Sequence, residues 1–167
     1  MLVHLVEAFS RSDQFTVNKT FDDFIFSDGM QTFTLFEPLH ADFHMKQLAK
    51  DEFEIKGNVG IGLVLPCDLC TKEVKISMNV DFHRSVSLQD EEDSSFIEGV
   101  SFNVEEFLHE ELMEELPQKV LCSDDCKGLC EQCGQDLNEQ ECSCEKGHID
   151  IRMAHLKDLF ENKFKEV

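Results

Sequence analysis

The chain contains no tryptophan and no tyrosine, and bases are scarce: 15 Lys and Arg stand against 35 Asp and Glu, for a formal charge of −20 over 167 residues. A nonspecific coat for DNA or RNA needs clustered cations to neutralise phosphates, and this chain lacks them. Acidic surface favours solubility and basic protein partners instead. The start, "MLVHLVEAFSRSDQF", lacks both a basic stretch and a long apolar run, so no signal peptide is expected. No apolar run approaches the ~18 residues of a membrane span. The expectation is a soluble, cytoplasmic protein in a compartment that disfavours disulfides. No phosphate-cradling glycine loop and no H-E-x-x-H are found, and the seven histidines are scattered. Nothing marks a nucleophile with its base, so an enzyme is not expected, nor a small-molecule substrate.

Hydrophobic residues make up 41% of the chain, enough for a real core. Phe53, Ile55, Val59, Ile61, Leu63 and Leu65 fall on odd positions; Val74, Ile76, Met78, Val80, Phe82, Val86 and Leu88 fall on even ones. Alternation of period two predicts two strands with one buried face each, joined as a long antiparallel hairpin with Cys67 and Cys70 at its tip. Upstream, alternation at Phe33 and Leu35, and again from Leu39 to Met45, predicts two strands, preceded by a short helical or irregular link with a turn at Asp28-Gly29. Residues 89–95 read as an acidic loop and "FIEGVSF" as a short strand or turn. Asn103 is expected to cap a helix in a capping box with Glu106. Its apolar stripe is Val104, Phe107, Leu108, Leu112 and Leu116, its wet face is glutamate-rich and includes Glu111, and Pro117 ends it. A last helix is expected from Asp150, with Met153, Leu156, Leu159, Phe160 and Phe164 as its stripe. Phenylalanines lie mostly on these buried positions, so they do not offer bases a stacking platform. The expected fold is α+β: an antiparallel sheet or partly open barrel with the long hairpin, two packed helices and a zinc-knuckle tail. The expected division is 1–120 as the β-rich core, 121–149 as a cysteine-rich segment and 150–167 as the C-terminal helix.

Eight cysteines remain, six of them within "LCSDDCKGLCEQCGQDLNEQECSC". Cys67 and Cys70 are spaced C-x2-C; Cys122, Cys126, Cys130, Cys133, Cys142 and Cys144 run C-x3-C-x3-C-x2-C-x8-C-x-C. Two close pairs of thiolates suit a tetrahedral zinc, and a C-x2-C turn bends two sulfurs onto one ion. In "CEQCGQ" a glycine follows the second cysteine, where a left-handed backbone aims amides at the sulfurs; "CDLCTK" keeps the spacing without the glycine. Eight thiolates suffice for two structural zinc ions. One partition joins Cys130, Cys133, Cys142 and Cys144, leaving Cys67, Cys70, Cys122 and Cys126. Another joins Cys122, Cys126, Cys130 and Cys133. An all-cysteine shell is closed and argues for a structural role, and the nearby lysines (Lys72, Lys75, Lys119, Lys127 and Lys146) are expected to offset thiolate charge.

"LPCDLC", "SFNVEEFLHEELMEELP", "DCKGLCEQCGQDLN" and "DIRMAHLKDLF", in that order, resemble the YceD family, the large ribosomal RNA subunit accumulation proteins of bacteria and plastids. The likeness spans roughly residues 30–162. It implies a non-catalytic role in the accumulation or maturation of large-subunit ribosomal RNA. It also implies that Cys67 and Cys70 match the most widely shared pair and the six later cysteines an extension. Ile151 stands where many relatives have proline. Asp68-Leu69 stands where many have a basic residue, which speaks against RNA contact at the hairpin tip. The combined expectation is a zinc-binding factor acting through a basic ribosomal or assembly protein, with RNA contacted indirectly. The alternatives are a direct RNA-binding module and a thiol-based redox switch.

Overall fold

Alternating side chains decide most of the architecture. The computed structural model describes residues 1–10, 12–88 and 95–144, and the chain divides into two compact units, Met1–Asp124 and Asp125–Val167. The first unit contains β1 (Leu2–His4), α1 (Leu5–Ala8), β2 (Gln14–Phe21), β3 (Phe26–Ser27), β4 (Thr32–Ala49), β5 (Glu52–Pro66), β6 (Glu73–Ser87), β7 (Ile97–Glu98), β8 (Ser101–Asn103) and α2 (Val104–Glu114). The large antiparallel sheet runs β2-β4-β5-β6, with β3 paired to β4; a small one runs β1-β8-β7. These strands form no closed barrel. No helix among the described residues is long and apolar enough to cross a membrane.

The expected hairpin is present as β5 and β6, paired without interruption from Glu52↔Ser87 to Pro66↔Glu73. The six odd-numbered apolar residues of β5 are all buried. Gly57, in the same series, lies so close to Phe43 of β4 that an added Cβ would collide with that residue's Cβ and backbone. The two strands expected between Phe33 and Met45 are instead one strand, β4, whose register against β5 shifts between Leu35 and Glu37 and again between Glu37 and His40. Those irregularities break the alternation, so a continuous strand reads as two pieces. Upstream of it, the expected helical or irregular link is irregular only at residues 22–25, between the end of β2 and β3, and contains no helix. The turn at Asp28-Gly29 is as expected: Gly29 has φ +85°, and Asp28 Oδ1 accepts from the amides of Met30 and Gln31, both at 2.8 Å.

Helix α2 begins after Asn103, but no capping box forms. Asn103 makes no side-chain cap bond; its amide Nδ2 donates to Glu106 Oε2 at 3.0 Å. Val104, Phe107, Leu108 and Leu112 are fully buried, and Leu116 partly. Phe107 meets Phe43 and Phe82 of the large sheet, and Phe96 and Phe102 at the small sheet, with ring centroids 5.2–6.1 Å apart. A fully buried phenylalanine contributes about 1.5–3 kcal/mol, and this one joins both sheets to the helix. Glu111, expected on the wet face, is 5% exposed; Arg84 of β6 donates to it through Nε at 2.8 Å and to Glu114 through Nη2 at 2.7 Å. A buried charge needs a partner, and the basic residue in the buried series of β6 supplies one. The acidic residues 89–94 and the expected helix after Asp150 lie outside the described residues.

Candidate metal centre

The tip of the β5–β6 hairpin is the six-residue turn Cys67–Lys72. Cys67 donates its amide to Lys72 O at 2.8 Å, and Thr71 donates to Cys67 O at 2.8 Å. This folds the C-x2-C segment tightly enough to bury both cysteines, at 1% and 3% exposure. The same two bonds recur in the second unit: Cys130 donates to Gln135 O, and Gly134 to Cys130 O, each at 2.8 Å. Gly134 takes φ +72°, and Thr71, at the equivalent place, takes φ +61°. The glycine missing from "CDLCTK" is therefore replaced by a threonine in the left-handed conformation, an outlier for a β-branched residue.

Both turns aim backbone N–H groups at their first sulfur. Burial alone would push the Cys67 thiol up, but the amides of Cys70, Leu69 and Cys122, with the Cys70 thiol, bring it down to about 6. The amides of Cys133 and Gln132, then the thiols of Cys142 and Cys133, hold Cys130 down at about 6 as well. Cys144 is pushed up to about 12, first by its bond to the Cys133 thiol and then by burial. Cys142 is also raised: the Cys144 amide lowers it, but the Cys130 thiol and burial outweigh that pull. In the second unit, a thiol held low beside two held high is an arrangement a divalent cation relieves, because the ion lets every ligating sulfur shed its proton.

In the first unit, Cys122 comes back to the tip. Its amide donates to Cys67 Sγ at 3.4 Å, and its Sγ lies 3.5 Å from Cys70 Sγ. The anchor is two residues earlier, where Asp68 donates its amide to Val120 O at 2.9 Å and accepts the Val120 amide on Oδ2 at 2.6 Å. In the second unit, the Sγ atoms of Cys130, Cys133, Cys142 and Cys144 all lie within 4.8 Å of one another. Zinc at about 2.3 Å from each sulfur sets the sulfurs roughly 3.8 Å apart, so small rotations would close the shell. These gatherings follow the partition that joins Cys130, Cys133, Cys142 and Cys144.

Cys126 is the second residue of the second unit, four residues after Cys122 in the chain. Asn138 holds it: Nδ2 donates to Cys126 Sγ at 3.5 Å, while Oδ1 accepts the Lys127 amide at 2.7 Å. A short bridge pairs Leu129 with Asp136, and Leu137 donates to Gly128 O at 2.9 Å. From 125 to 144 Gly128 is the sole buried residue, so no buried apolar side chain holds this stretch. Asp68, Thr71 and Asn138 carry site geometry that cysteine spacing does not reveal. The one signal for Asn138 is its place within "GQDLN".

The sequence model of a protein family described as "Large ribosomal RNA subunit accumulation protein YceD" matches residues 55–160. No curated protein and no solved structure matches the chain.

Proposed function

Because the chain belongs to the YceD family, we propose that it is a non-catalytic, zinc-stabilised factor supporting the accumulation of large-subunit ribosomal RNA. Each zinc would draw on the gathered thiols of one unit: Cys67, Cys70 and Cys122 in the first, and Cys130, Cys133, Cys142 and Cys144 in the second. The observation that carries the metal reading is the stretch 125–144. It has a defined backbone and converging thiols but no buried apolar side chain, and segments this small need a staple in place of a core. Zinc with four protein ligands has no open position for substrate, which favours a structural role. The family description names an accumulation role rather than a reaction. Persistent thiols suit a reducing cytoplasm.

The charge of −20 favours a basic ribosomal or assembly protein as the direct partner, with RNA reached through it. The test is affinity capture on zinc-loaded protein from lysate at low salt, with and without nuclease, the retained proteins read by mass spectrometry and the retained RNA by gel. Retention of a basic ribosomal or assembly protein, released by raised salt, is expected. Capture of RNA without any ribosomal protein, lost after nuclease treatment, would contradict it and point to a direct RNA-binding module.

A further inference from the structure

We propose that Asp68 is a positioning residue of the first thiol site: its paired hydrogen bonds to Val120 set Cys122 against Cys67 and Cys70. The inference rests on the reading of these cysteines as metal ligands.

A carboxylate beside a thiolate cluster adds charge of the wrong sign, since four thiolates on a divalent ion already sum to −2 and like charges repel. Electrostatics therefore gives no reason for an acidic residue between Cys67 and Cys70. The hydrogen bonds do. Asp68 both donates to and accepts from the backbone of Val120, at 2.9 and 2.6 Å. That fixes the returning chain in position and register at one residue. Two residues on, Cys122 meets both hairpin thiols, its amide 3.4 Å from Cys67 Sγ and its sulfur 3.5 Å from Cys70 Sγ. Cys67 and Cys70 are held by their own turn; Cys122 is separated from them by 52 residues of sequence from Cys70. A side-chain acceptor at position 68 must also reach a fixed amide, so length matters as well as polarity.

The experiment is cobalt(II) titration of the full reduced chain, read by its thiolate charge-transfer and ligand-field bands, for wild type and for Asp68→Ala, Asp68→Asn and Asp68→Glu. Wild type is expected to take up two ions. Asp68→Ala should bind one of them about 10–100-fold more weakly, the usual cost of losing a supporting hydrogen bond around a metal site, with altered bands for that ion alone. In a Cys130→Ser background, which disables the second site, the remaining uptake should be the part that depends on residue 68. Asp68→Asn keeps an oxygen at the same reach and should restore most of the affinity. Asp68→Glu keeps the charge, moves the oxygen by one methylene and should not. That order holds the test even if Asp68→Ala fails to fold. If Asp68→Ala titrates like wild type, or if glutamate rescues where asparagine does not, the inference is overturned and the metal reading stands. If wild type takes up no cobalt, the metal reading itself falls and the inference with it.

Discussion

At the scale of single residues, Thr71 and Glu111 depart furthest from what their neighbours in sequence suggest. Thr71 sits at φ +61° where the matching turn has glycine at φ +72°. A left-handed residue with a Cβ costs roughly 1–2 kcal/mol, and glycine's extra freedom in the unfolded chain gives back about 0.5–1. Thr71→Gly should therefore raise stability in urea by about 0.5–1 kcal/mol without weakening metal uptake; a loss of stability would show that the hydroxyl or methyl makes a contact that outweighs the strain. Glu111 is held above the ordinary carboxylate range by burial, with Arg84 drawing it part of the way back. A carboxyl that binds its proton more tightly in the fold contributes stability below its unfolded pKa and loses it as pH rises through the folded one. Relative to Glu111→Gln, wild type should thus lose stability as pH rises from the acid side towards neutral. Glu111→Ala, which leaves Arg84 (28% exposed) without its buried partner, should cost about 1–3 kcal/mol. The cysteine spacing was readable because ligand chemistry leaves a mark in residue type. Thr71's conformation was not, because nothing in composition announces a strained φ, and Glu111 escaped because its partner Arg84 lies 27 residues away.

At the scale of elements, the β5–β6 hairpin was legible because two unbroken runs of alternation, one odd and one even, point into one core. Strand β4 was legible only in halves, since its register shifts carry the alternation across an irregularity. The one-turn α1 and the short strands β1 and β3 were out of reach, because a segment that short carries no periodicity; β7 and β8 fall where "FIEGVSF" reads as a short strand or turn. At Gly57 a Cβ would run into Phe43 of β4; Gly57→Ala should destabilise by about 1–3 kcal/mol in equilibrium unfolding, the range for overpacking a tight interior. The second unit has no such apolar reserve in its described part. Chelation should therefore open residues 125–144 to protease while the sheet keeps its circular dichroism, because the tail would rely on the metal for folding free energy whereas the sheet has its own buried apolar core. Equal protection with and without chelator would show that the backbone turns suffice.

At the scale of the whole molecule, two features of composition bear on function. The acidity supports the proposed basic partner, and the gathered thiols support the proposed metal. The most direct test of the account is elemental analysis combined with thiol counting on the chain purified under reducing conditions. Two zinc ions per chain and no thiol reactive in the native state, with all eight released on denaturation with chelator, is the expected result. A metal-free native protein, its sulfurs freely reactive or joined in disulfides, would contradict it.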